Sequence, residues 1–110
     1  MIRVDVTVKQ VAIVLQGDPI TKQKLCVECG TAFYTSYVKA KDTHKSWAEK
    51  WDDGGYMKIV LKCPDNETFV KIFDKTVSWK LPYAISDRIL VIGPAPSNVI
   101  DTITGGLKLL

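Results

Sequence analysis

Histidine is nearly missing from this chain of 110 residues: His44 is its one imidazole, so a histidine-based metal site has no second ligand of its own kind. Cysteine is scarce and odd in number. Cys26, Cys29 and Cys63 cannot all pair within one chain, and a domain of this length needs no disulfide framework, so a reducing, cytoplasmic compartment is expected. Long apolar runs are absent as well. The opening Met1-Ile2-Arg3-Val4-Asp5 alternates charge with apolar residues, which predicts neither a signal peptide nor a membrane span. No stretch rich in Pro, Gly or Ser suggests a linker, and no internal repeat is visible, so residues 1–110 are expected to form one domain. Nor is there a strong charge bias: 15 basic against 12 acidic residues leave +3, enough for a local RNA or phosphate patch but not enough to assign one.

What is present is a regular alternation of patterns. Ile2, Val4, Val6 and Val8 alternate with Arg3, Asp5, Thr7 and Lys9, the period-two signature of a half-buried strand, here read as an N-terminal addition over residues 1–9. Val11 to Leu15 run without a polar break, as a central strand covered on both faces would. From Thr21 to about Ala40, residues Leu25, Cys29, Ala32, Phe33, Ser36, Tyr37 and Ala40 recur every three or four positions, predicting an amphipathic helix capped by Thr21. Trp47 and Trp51, four apart, predict a short second helix that Asp52-Asp53-Gly54-Gly55 ends.

Met57 to Lys62 reads as another strand, and Asp65 caps a third helix whose buried stripe is Phe69, Ile72, Phe73, Thr76 and Val77. Two short strands follow, Tyr83 to Ser86 and Ile89 to Ile92, with only Asp87-Arg88 between them, which requires a tight turn or one bent strand. Gly93 to Ser97 leads to a last helix with Val99, Ile100 and Ile103, closed by Gly105-Gly106, and Leu107 to Leu110 forms an edge strand. Strands alternating with helices in this order predict a three-layer α/β/α domain with a small mixed sheet.

The most specific motif is C-terminal. Ile92-Gly93-Pro94-Ala95-Pro96, Ile100-Asp101, Thr104-Gly105 and Leu107-Lys108-Leu109-Leu110 together resemble the ending of type 2 peptidyl-tRNA hydrolases. Upstream, Trp51, Gly55, Lys58 to Lys62, Pro64-Asp65 and Glu67-Thr68 resemble that family's second strand and third helix, and Lys22 and Lys24 fall on the paired lysines of its first helix. The resemblance extends over about residues 10 to 110. It implies the family fold, an activity that cleaves the ester between a stalled peptide and the 3′ end of its tRNA, no cofactor and no metal, tRNA or peptidyl-tRNA as partner, and a homodimer.

The chain departs from the family where the chemistry lies. After the paired lysines the family helix reads glutamine and, three residues later, histidine, whereas this chain has Glu28 and Thr31. The family's aspartate-alanine-glycine turn and arginine-threonine-glutamine segment are reduced here to Asp87-Arg88. Ester hydrolysis needs an activated water and positive charge near the developing oxyanion. The candidate catalytic residues are therefore Lys24, Asp87, Glu28 and Thr31, with Lys22, Lys24, Lys58 and Arg88 as a candidate phosphate-binding rim.

Each has a plainer reading. Asp87 is either a surviving catalytic carboxylate or a turn residue. Glu28 is a base or half of an i,i+4 surface pair with Lys24, and Thr31 positions water or packs the helix. The lysines form either a rim around one site or an ordinary solvated face. Cys26-Val27-Glu28-Cys29 reads as core packing ahead of a redox or zinc motif, because the pair lies inside the helix and no second CxxC completes a metal site. His44 is expected in solvent, and Trp47 and Trp51 are expected to cover the core ahead of stacking on bases. The expectation is a divergent hydrolase-like protein with ester hydrolysis reduced or lost and tRNA or protein binding retained. The alternative is an active hydrolase using Lys24 with Asp87 or Glu28.

Overall fold

A computed structural model describes residues 7–110. Its elements are β1 (Val8–Leu15), α1 (Lys22–Thr43), α2 (Lys45–Asp53), β2 (Lys58–Cys63), α3 (Asn66–Ser78), β3 (Tyr83–Ser86), β4 (Ile89–Pro96), α4 (Ser97–Thr104) and β5 (Lys108–Leu109). They form one five-stranded sheet in the order β3-β4-β1-β2-β5. β1 and β2 are parallel and the other neighbours antiparallel, so the sheet is mixed.

Period two organises the core. On β1, Val11 and Ile13 join Leu61, Leu90, Ile92, Ile72 and Ile100 in one buried cluster, while Ala12 and Val14 join Ala32, Ile89 and Val91 in another. The first cluster is covered by α3 and α4 and the second by α1, giving the three layers. Ala32, Ser36 and Ala40, spaced by four, are the buried residues of α1, and their small side chains let the helix lie close to the sheet. Thr21 caps α1 by accepting a hydrogen bond from the Lys24 backbone N–H at 3.1 Å. Asp65 caps α3 in the same way, accepting from the Thr68 N–H at 2.8 Å.

Several boundaries differ from expectation: β2 is shifted by one residue to Lys58–Cys63, and β5 covers only Lys108–Leu109. β1 begins at Val8, so Val8 and Lys9 belong to the central strand, and the rest of the expected N-terminal strand apart from Thr7 lies outside the described residues. α1 runs three residues beyond Ala40, to Thr43. β4 continues through Gly93 to Pro96, where a connection was expected, because the β1 ladder extends to Val8↔Pro96 across an irregularity between Lys9 and Val11. Gly93 makes this extension feasible. Its φ is 111°, and a Cβ there would lie 2.5 Å from the Lys9 carbonyl oxygen. Its own carbonyl accepts from Gln10 Nε2 at 3.2 Å and from the Ser36 hydroxyl, tying α1 to the sheet centre.

Candidate active site

Four of the candidate residues, Lys24, Glu28, Asp87 and Arg88, converge near the C-terminal end of β1. β3 and β4 are joined by two residues, with Ser86 paired to Ile89, and Asp87 takes the left-handed conformation (φ 55°) that such tight hairpin turns demand and that aspartate tolerates. The Arg88 carbonyl accepts from the Leu15 N–H at 3.0 Å, fixing the turn over the strand end. From the other side, the first turns of α1 bring Lys24, Glu28 and Thr31 onto one helical face, since spacings of four and three return to nearly the same angle.

Lys24 Nζ lies 3.5 Å from Asp87 Oδ2, and Arg88 Nε lies 4.0 Å from the same oxygen. Arg88 is itself anchored. Its Nη1 donates to the Asp18 carbonyl, and its Nη2 lies 3.8 Å from the Asp18 carboxylate. Glu28 pairs not with Lys24 but with Ser86, whose hydroxyl donates to Glu28 Oε2. The expected i,i+4 pair is therefore replaced by two contacts from α1 to the hairpin. A cleft of about 460 Å³ opens beside them, lined by Leu15, Gln16, Asn66, Phe69, Asp87 and Arg88. Lys24 and Asp87 are both well exposed, so their ion pair adds at most about 1 kcal/mol to stability. Its consequence is positional: a cation and a carboxylate are held side by side at a cleft.

Other expected groups are elsewhere or already engaged. Thr31 is exposed and its hydroxyl donates to the Val27 carbonyl at 3.1 Å, one turn back in its own helix. Lys22 stands exposed at the first position of α1. Lys58 does not join Lys22, Lys24 and Arg88. It pairs with Gln10, whereas the turn sits at the Leu15↔Cys63 end, five positions or about 16 Å along the strands. There its ammonium lies 5.2 Å from the Trp51 ring centre and 5.8 Å from that of Tyr56.

His44 corrects a second expectation. It is half-buried between α1 and α2, stacked on Trp47 at 4.5 Å, and burial pushes its pKa down against the opposing effect of a hydrogen bond to the Lys80 backbone. Twenty residues of helix separate it from Lys24, about 30 Å at 1.5 Å per residue, so it cannot supply the missing imidazole. Trp51 is buried and donates from Nε1 to the Met57 carbonyl at 2.9 Å, and Trp47 packs half-buried against the core.

The cysteine pair is not a core element as expected: Cys26 is exposed, while Cys29 is half-buried against the α1-facing cluster. Burial, and then the neighbouring Cys26, raise the Cys29 pKa, the opposite of what an activated thiolate requires. Among the described residues no group of three His, Cys, Asp or Glu is arranged to hold a metal ion. No helix among them is long and apolar enough to cross a membrane.

Two site residues escaped sequence reading. Ser86 and Asp18 look like ordinary turn-flanking residues, and only pairing of the hairpin with β1 brings them to Glu28 and Arg88.

With a basic helix start facing a carboxylate-bearing turn across the central strands, the sequence relationships become decisive. A family profile described as "Peptidyl-tRNA hydrolase PTH2" matches residues 8–110, nearly the whole chain. The chain belongs to this family. PTH2 relatives include peptidyl-tRNA hydrolase of Saccharolobus islandicus, 30% identical over 94% of this chain and 99% of its own length. Mitochondrial peptidyl-tRNA hydrolase 2 of Bos taurus is 31% identical over 92% of this chain, and peptidyl-tRNA hydrolase 2 of Saccharomyces cerevisiae is 29% identical over 93%. The chain spans 63% of the bovine and 58% of the yeast protein. The five-stranded mixed sheet with four helices is consistent with the PTH2 domain expected from the C-terminal motif.

Proposed function

We propose that this PTH2 domain recognises peptidyl-tRNA but hydrolyses its ester far more slowly than its relatives, acting chiefly as a binding protein in a reducing, cytoplasmic setting. One observation carries the reading: the helical face that meets Asp87 presents Lys24, Glu28 and Thr31 and no imidazole, and His44 is a whole helix away. Water attack on an ester carbonyl requires a base to take the water's proton as the oxyanion forms. Imidazole does this near neutrality, and a carboxylate is ordinarily a weaker base by more than two pH units. Glu28 is turned toward Ser86, from which one of its oxygens accepts, and the Thr31 hydroxyl donates within its own helix and does not titrate near neutrality, so neither supplies what an imidazole would.

Binding has separate support. Arg88 lines the cleft, Lys24 meets Asp87 of its lining, and Lys22 is exposed two residues earlier on α1; phosphate attraction to these cations needs no catalytic base. A second reading, an active hydrolase using Lys24 with Asp87, is favoured by their 3.5 Å contact: Asp87 would take the proton and Lys24 would face the oxyanion.

Single-turnover cleavage of labelled peptidyl-tRNA separates the two. The expected result is a parent rate about 10² to 10⁴ below that of the Saccharolobus relative, with binding retained and weakened in Lys24→Ala. Turnover close to the relative's, lost in both Lys24→Ala and Asp87→Asn, would establish the second reading instead.

A further inference from the structure

A second cleft lies at the far end of α1 from Lys24. About 590 Å³ in volume, it is bounded by the end of α1, the end of α3 and the start of β3. Its floor is apolar: Leu81 and Pro82 are buried, and Val77 presents its side chain from α3. Its rim is charged. Lys39 and Lys80 provide two ammonium groups, Asp42 provides one carboxylate, and Thr43 with His44 closes the α1 side.

Three features fix this rim. Lys39 Nζ donates to the Tyr83 carbonyl at 3.2 Å and lies 5.2 Å from the Tyr83 ring centre, so its charge is held at one edge. Lys80 has a left-handed backbone (φ 54°), a strained conformation for a residue with a long side chain, in the short connection between α3 and β3. The side chain is thereby presented from a two-residue bend rather than from a helix face. The Thr43 hydroxyl lies 2.8 Å from His44 Nδ1, and the imidazole stacks on Trp47 with an interplanar angle of 11°. The proposed catalytic reading uses none of these residues.

We propose that this cleft is a second binding site, for a nucleotide. The three parts of a nucleotide each find a matching group. A base is a flat apolar surface suited to the Val77, Leu81 and Pro82 floor beside the Tyr83 and His44 rings. A phosphate suits Lys39 and Lys80 as charge-assisted partners. Ribose hydroxyls are donors, and Asp42 is the acidic acceptor in the lining. An acidic peptide fits less well, because it would bring carboxylates against Asp42 and leave that group without a donor. The same chemistry is offered by a free nucleoside monophosphate and by an unpaired nucleotide of an RNA strand.

His44 makes the test unambiguous, since the chain's sole histidine gives ring proton resonances that belong to this cleft alone. The full chain is titrated with adenosine 5′-monophosphate, with a short single-stranded RNA, with inorganic phosphate and with a glutamate-rich peptide. Both nucleotide probes are expected to shift the His44 resonances saturably, and phosphate or peptide at equal concentration to leave them nearly unmoved. Lys39→Met and Lys80→Gly should each weaken binding about fivefold or more. Glycine suits the backbone conformation at position 80, so Lys80→Gly removes the charge without adding strain. RNA binding more than about tenfold tighter than the monophosphate assigns the site to RNA, and comparable affinities assign it to the free nucleotide. His44 resonances that ignore both nucleotides would overturn the proposal, as would equal shifts with the glutamate-rich peptide or undiminished affinity in the doubly substituted Lys39→Met, Lys80→Gly protein.

Discussion

Single side chains here differ sharply in what they contribute, and burial decides the difference. Lys9 is buried on β1 and its ammonium meets Asp101 Oδ1 at 2.6 Å, while Asp101 itself stays more than half exposed. Removing the carboxylate leaves a buried cation without its partner, whereas replacing the cation with an apolar side chain of similar length leaves only a solvated acid. Asp101→Ala should therefore cost about 2 to 4 kcal/mol in urea denaturation and Lys9→Met clearly less. The reverse order would show that Lys9 is hydrated in the native state. His44 provides a pH test. Its native pKa is lowered by burial, so as pH falls the unfolded chain takes up a proton before the folded one does. The stability contributed by keeping it neutral is complete above the ordinary imidazole range and is lost as pH falls toward the native pKa. Melting temperatures measured between about pH 7 and pH 5 should decline less in His44→Gln than in the parent, and parallel curves would count against a buried neutral imidazole.

At the level of elements, the ladder between β1 and β4 depends on one residue without a side chain. Gly93→Ala would place a methyl group 2.5 Å from a backbone oxygen at φ 111°, in a segment held by Gln10 and Ser36. A loss of about 3 kcal/mol or more is expected in thermal or urea melts, and a change below about 1 kcal/mol would mean that β4 can shift freely. Elements were legible from sequence where a period repeated. The apolar run of β1, the stripe of α1 and the caps Thr21 and Asp65 all stand where the pattern put them. The extension of β4 was hidden because Gly93, Pro94 and Pro96 read locally as a connection, and only a partner strand shows them paired. The site was legible in part for the same reason. Lys24 and Asp87 followed from the family resemblance, but their contact, the Glu28 to Ser86 bond and the displacement of Lys58 depend on pairing between elements distant in sequence. Cys26 and His44 were misjudged because helical spacing gives a face but not what lies opposite it.

Across the whole molecule, one cleft opens beside the Asp87-Arg88 turn and another where α1 ends, the second with Lys39 and Lys80 on its rim. The sheet's far edge is β5, only two residues long, where Leu109 and Leu110 remain largely exposed. So short a strand limits backbone pairing, but its exposed leucines offer an apolar contact to a second copy, so a homodimer is expected in sedimentation equilibrium, shifted toward monomer by Leu109→Lys. A parent that sediments as a monomer at all concentrations would exclude it. The two-residue turn carrying Asp87 also governs timing. A connection this short, anchored to Leu15 at its base and through Arg88 to Asp18, has few alternative conformations to sample. The ordering that a longer loop must undergo when it meets its ligand is thus already complete before encounter, and association at this end should proceed in one kinetic phase, without a slower closing step.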